Sequence, residues 1–184
     1  MKKLVLLCVL VGTFFSCDDG DLTIEEIDLT TTANVETCTT PVQVGVTFLF
    51  KINSAETLIL QVPESLLINE VTTVEENEAG EMVPVPRTAE LNNDASCLYR
   101  SFESAITSSY FCDDLPSDVP INLEYAAVSG IVEVITTEEM DTETMTVTGY
   151  NHQIDFTNVV FTGTNGQDVR YGVFEFGDIT TSVE

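Results

Sequence analysis

Val42 to Ile52, VQVGVTFLFKI, decides the fold class of this chain. Val42, Val44, Val46, Phe48, Phe50 and Ile52 fall on every second position, and side chains two apart on an extended strand share a face. The pattern therefore predicts a strand with one wholly apolar side. Leu49 and Lys51 take the other side, so the strand is expected to be half exposed.

Working outward, Asn53-Ser54-Ala55 is a turn signal leading into a second strand at Thr57–Val62. Pro63-Glu64-Ser65 then opens Leu66–Ile68 as a single helical turn. Residues 75–94, EENEAGEMVPVPRTAELNND, are rich in acids and hold two prolines. They predict a long exposed acidic loop with a short edge strand at Met82–Val85, because proline is tolerated at sheet edges. Ser96–Phe102 and Ala105–Phe111 suggest a hairpin, ended by the Asp- and Pro-rich run from Asp113 to Pro120.

Three more strands are predicted at Ile121–Tyr125, Gly130–Thr137 and Met145–Asn151, the last two flanking an acidic loop at Glu138–Glu143. Thr157–Thr162 and Val169–Phe176 enclose Asn165-Gly166, the pair that a type I′ turn prefers. Centred there, opposed positions sum to 331, so Val160 faces Tyr171, Thr162 faces Val169 and Phe161 faces Arg170. Upstream, Asp18 to Glu36 is acidic and Thr-rich, with Leu22, Ile24, Ile27 and Leu29 alternating loosely, which predicts a short tether and a first imperfect strand. About nine or ten short strands with frequent turns and no long helix point to an all-β fold. The expected form is an antiparallel β-sandwich of the immunoglobulin-like kind, with a partly open β-barrel as the alternative.

The chain begins MKKLVLLCVLVGTFFSCDDGD. Lys2 and Lys3 precede an apolar run from Leu4 to Phe15 that ends at the small residue Ser16, which is the anatomy of a secretory signal. The run is shorter than the roughly 20 residues a membrane span needs, and acids follow it at once. Ser16-Cys17 closing this run resembles the lipobox of bacterial lipoproteins. CDDGD is similar to the surface-export signal of Bacteroidota lipoproteins, and the whole start resembles uncharacterised flavobacterial envelope lipoproteins. The resemblance implies cleavage after residue 16, acylation of Cys17 and an acidic tether over 17–21; the 168 residues from Cys17 to Glu184 fit one domain by length, so 22–184 is expected to be a single β domain. Two or three acyl chains anchor stably where one binds only marginally. The membrane, through that lipid, is thus the first expected partner, and the place is extracytoplasmic, at the outer membrane or cell surface.

Past residue 17 only Lys51, Arg87, Arg100 and Arg170 oppose 31 acids, a formal charge of −27. Nucleic acid is excluded as a partner, since phosphate backbones are bound by basic surfaces. Cys38, Cys97 and Cys112 survive processing, and an oxidising compartment pairs two of the three. All three pairings are open from sequence. Cys38 with Cys112 is favoured because it ties the start of the domain to its middle; Cys97 with Cys112 is the alternative, across a hairpin with its loop at Glu103–Ile106. No spacing resembles a zinc site.

His152 is the one histidine, with Asp155 three residues on. That gap in a strand puts the two on opposite faces, and no nucleophile elbow accompanies them. A polar strand residue is the expected role for His152, and no catalytic residue is expected. Acid pairs are too abundant to single out a glycosidase pair. Asp18–Asp21, Asp113–Asp118, Glu138–Glu143 and Asn165–Asp168 offer oxygen ligands for weak calcium binding, although none has EF-hand spacing; otherwise no cofactor is expected. The five tyrosines, Tyr99, Tyr110, Tyr125, Tyr150 and Tyr171, lie in predicted strands, where they pack or form a sugar platform. The expected function is non-catalytic presentation of a β domain to a protein or glycan partner. An accessory subunit of an envelope assembly and a surface hydrolase are the alternatives.

Overall fold

The computed structural model describes residues 33–115 and 118–183. Nine strands and one short helix follow one another as β1 Phe48–Asn53, β2 Glu56–Gln61, β3 Val74–Glu76, β4 Met82–Pro84, β5 Arg87–Glu90, β6 Ser96–Phe102, α1 Ser109–Cys112, β7 Ile121–Met140, β8 Val147–Gly163 and β9 Asp168–Ser182 among the described residues. Seven strands form one antiparallel sheet in the order β1-β2-β6-β7-β8-β9, with β5 also on β7. The sheet curls into a half-barrel beside the small β3–β4 hairpin, so the all-β antiparallel expectation holds, and a sandwich or an open barrel both describe it. The signal, Cys17, the tether and the strand expected near 22–29 lie outside the described residues.

β1 begins later than its alternation predicts. Gly45 has a φ of 75° and donates its N–H to the Leu67 carbonyl, which breaks the extended run before Phe48. The face expected to be half exposed is buried as well: Leu49 is 0% and Lys51 5% exposed. The register explains why. Leu49, Leu60 and Cys97 align across β1, β2 and β6 on the inner face and join the main core, while Phe50, Ile59 and Leu98 align on the outer face. A second layer covers that outer row.

The layer comes from residues expected to be a strand. Instead of pairing, Ala105–Phe111 runs as a loop into α1, which sets Phe111 on Phe50 with ring centroids 4.7 Å apart and Tyr110 on Phe102 at 4.9 Å. Cys112, at the end of α1, is bonded to Cys38, with the Cα atoms 5.2 Å apart. Glu36 exchanges backbone hydrogen bonds with Phe50, so the strapped segment lies along the free edge of β1. Cys97 is a free thiol in the core, on the inner face, and burial pushes its pKa up.

The expected acidic loop at 75–94 is only partly a loop. β3 and β4 pair within it, and Ala89 of β5 pairs with Val132 in the main sheet. The single helical turn expected at Leu66–Ile68 lies earlier, over Pro63–Leu66, closed by a bond from the Leu66 N–H to the Pro63 carbonyl. The short strands expected after residue 120 merge. β7 pairs with β6 through its first half and with β5 through its second, and β8 runs without a break through the position of His152. The β8–β9 hairpin also differs by one residue. Val160 faces Arg170, Phe161 faces Val169, and opposed positions near the turn sum to 330. Only Gly166 of the Asn165-Gly166 pair has positive φ, and the Gly163 N–H reaches the Gln167 carbonyl. This is a three-residue loop ending on a left-handed glycine, whereas a type I′ turn needs two positive φ angles.

The curl of the sheet is set where β7 meets β8. The register slips on either side of Ser129, Gly130 has a φ of 129°, and a Cβ there would lie 2.8 Å from the Val159 Cα. Gly130→Ala therefore forces two backbones apart at a strained angle, and a loss of about 2 kcal/mol is expected in urea unfolding. Gly172→Ala is the control, because a Cβ at Gly172 meets nothing within 4 Å. Equal effects of the two substitutions would contradict this account of the bend.

Candidate functional site

Two features stand out from the packing, one buried and one open. The buried one begins with parity. Val132, Val134 and Thr136 alternate inward on β7, His152 and Ile154 on β8, and Ile179 and Thr181 on β9, and all are buried. Polar side chains thus occupy core positions in phase with aliphatic ones, and such groups are costly unless hydrogen-bonded.

They are bonded to one another in a single file whose direction the chemistry fixes. Arg87 can only donate, so its guanidinium donates to the Thr136 hydroxyl oxygen. The Thr136 hydroxyl then donates to His152 Nδ1 across 2.8 Å, and His152 Nε2–H donates to the Thr181 oxygen across 2.9 Å. The Thr181 hydroxyl donates to Asn69 Oδ1, and the Asn69 amide donates to the Ser182 carbonyl. The remaining Arg87 nitrogens hold the carbonyls of Leu66 and Glu70, and Thr72 accepts from the Thr136 N–H. His152 is consequently a neutral Nε2–H tautomer. Burial first, and the charge of Arg87 second, lower its pKa to about 4. The ring is 0% exposed, so it braces three strands and has no path to a substrate. Asp155 lies on the opposite face, as the spacing predicted, and donates nothing to the ring's environment.

On that outer face Glu133, Asp155 and Glu175 stand side by side across β7, β8 and β9. Burial raises the Asp155 pKa, a hydrogen bond from Gln153 lowers it, and Glu175, Asp178 and Glu133 raise it further. No group of three or more His, Cys, Asp or Glu side chains among the described residues is gathered closely enough to hold a metal ion. In the loop after β7, Asp141 Oδ1 accepts from the Thr144 N–H, the Thr144 hydroxyl and the Glu143 N–H, which lower the pKa of Asp141. Asn165 likewise accepts from the Gln167 N–H, and Asp168 from Thr162 and Arg170. These are turn-forming contacts. Of the other proposed calcium loops, Asp18–Asp21 falls outside the described residues, and the described acids of Asp113–Asp118 are exposed. The tyrosines do not form one platform: Tyr99 and Tyr125 are core residues, Tyr110 packs on Phe102, and Tyr171 packs on Phe161 and Phe174.

The open feature is a cleft of about 250 Å³ where the cover over the outer face of β1, β2 and β6 stops short. Ile59 and Leu98 form its floor, and Phe48 and Phe111 its apolar sides. Gln61, Ser96 and Arg100 form the polar rim, with Ser96 donating to Gln61 Oε1 and Arg100 Nε donating to Glu124 across 2.6 Å. Sequence reading did not single out these residues, because the cleft depends on the register of three strands and on α1. The signal for the buried file was present: Thr136, His152 and Thr181 each continue an apolar alternation.

Neither the family models, the curated proteins nor the solved structures compared with this chain contain a match to it.

Proposed function

We propose that this chain is a lipid-anchored envelope protein, acylated at Cys17, which holds an acidic β domain outside the cytoplasm and presents it to a protein or glycan partner without catalysing a reaction. The observation that carries the reading is the start of the chain, where a basic pair, an apolar run and Ser16-Cys17 are followed directly by Asp18, Asp19 and Asp21. The Cys38–Cys112 bond supports it, because such bonds persist in oxidising compartments. The formal charge of −27 keeps the domain off anionic lipid and favours a neutral or basic partner.

Mass spectrometry of the mature amino terminus tests the anchor, and diacylglycerol on a first-residue Cys17 is the expected finding. Capture on intact cells with the anchored, tagged protein tests the presenting role. One partner enriched reproducibly over a Cys17→Ser control is expected; recovery of the bait alone would remove the binding reading while leaving the anchor intact.

A further inference from the structure

We propose that the cleft over β1, β2 and β6 binds a small aromatic carboxylate, with the ring on Ile59 and Leu98 and the carboxylate on Arg100. The proposal goes beyond the reading above, and needs neither the lipid nor a partner on the cell.

One wall of the cleft is carried by α1. Phe111 closes over Phe50 and meets Phe48 with centroids 6.0 Å apart at 61°, so the cleft is walled by the exposed parts of an aromatic cluster. Aromatic rings prefer such edge-to-face partners to aliphatic chains of equal area. At about 30 Å³ per water volume the cleft equals roughly eight waters, which suits one six-membered ring with a short chain and a terminal polar group.

Hydrogen-bond bookkeeping selects the polar group. The Ser96 hydroxyl donates to the Gln61 carbonyl oxygen, leaving both Gln61 amide N–H groups at the rim. Arg100 engages Glu124 through Nε, and its terminal nitrogens have no partner among the described residues. The rim therefore has surplus donors and calls for an acceptor. A carboxylate takes two parallel N–H bonds from a guanidinium end, an arrangement an alcohol cannot match. Arg100 would then bridge two carboxylates, Glu124 at its side and the ligand at its end. Arg100 is also the one of the four cations after Cys17 that borders an apolar cavity: Lys51 is buried in the core, Arg87 is enclosed in the hydrogen-bonded file and Arg170 pairs with Asp168 on the surface. The many distant acids oppose an anion only weakly at physiological salt, since charges more than about 8 Å away are screened.

The test uses the full-length protein in lipid nanodiscs, with empty nanodiscs as the background for ligand partitioning. Calorimetric titration with 4-phenylbutyrate and with 4-phenylbutan-1-ol separates the carboxylate from the ring. The acid is expected to bind roughly tenfold more tightly than the alcohol. Arg100→Gln is expected to bring the acid down to the level of the alcohol, and Leu98→Phe, which fills the floor, to abolish both. Far-UV circular dichroism checks each fold, and should Arg100→Gln misfold, the Leu98→Phe comparison still decides. The tripeptide Gly-Gly-Phe offers the same ring and carboxylate on a chain end. Binding of both acid and tripeptide assigns the cleft to either source, and binding of the acid alone assigns it to a free molecule. Equal binding of acid and alcohol, acid binding that survives Leu98→Phe, or no binding above empty nanodiscs overturns the proposal.

Discussion

Replacing Cys38 and Cys112 together by serine is expected to lower the stability of the fold by about 4 kcal/mol. The bond joins residues 74 apart, and closing a loop of that length removes conformational freedom from the unfolded chain worth about this much. The loss has a place in the structure as well as a size. Cys112 ends the only described helix, and that helix holds Phe111 over Phe50, so the outer layer loosens before the inner core does. Urea unfolding should therefore show amides of β1 exchanging early in the double variant, while β7 and β8 keep their protection. A midpoint unchanged from the parent protein would mean that the strap contributes nothing to the fold. The outer cleft should suffer with it, because one of its walls is carried on the strapped segment.

Acid should cost the fold about 3 kcal/mol through His152 alone. The imidazole has an ordinary pKa near 6.5 when unfolded and about 4 in place, so between those values the unfolded chain binds a proton that the folded chain refuses. The stabilisation is complete above pH 6.5 and is lost as pH falls toward 4. Burial is the first reason and the charge of Arg87 the second; the file adds that a proton on Nδ1 would force the Thr136 hydroxyl to give up donating to the ring. Asp155 works in the opposite sense. Its pKa is raised, so it costs stability when ionised and is relieved on acidification. The measurement is therefore a difference, comparing unfolding free energies of the parent and His152→Gln across pH 4 to 7.5. The parent should lose stability relative to the variant as pH drops, and parallel curves would refute the assignment.

The class of the fold was legible because alternation and turn chemistry are local. Phe48, Phe50 and Ile52 share a face as their spacing requires, and Glu56–Gln61 and Ser96–Phe102 are strands close to where they were expected. What failed depended on partners distant in sequence. Leu49 and Lys51 looked half exposed because nothing in VQVGVTFLFKI announces that their face meets the main core while residues 105–112 cover the Phe50 face as a second layer. The Asn165-Gly166 pair marked the hairpin correctly, but choosing between a two- and a three-residue loop needed the φ of Asn165, which the dipeptide does not fix. Of the two sites, the buried file was half legible: Thr136 and His152 sit at inward positions by parity, yet Arg87 reaches them from a stretch that read as loop. The cleft was not legible at all, because Gln61, Ser96 and Arg100 become neighbours only once β2 and β6 pair.

The close of β9 bears on how the molecule comes into being. The Ser182 N–H bonds the Val42 carbonyl, and the Ser182 carbonyl holds the Asn69 amide, so the end of β9 seals a seam with the segment before β1 and the loop after β2. No nascent chain held short of its final strand can complete that seam. Closure must wait until β9 is free of the ribosome, and a chain stopped before Ser182 would leave an unsealed intermediate open to proteases.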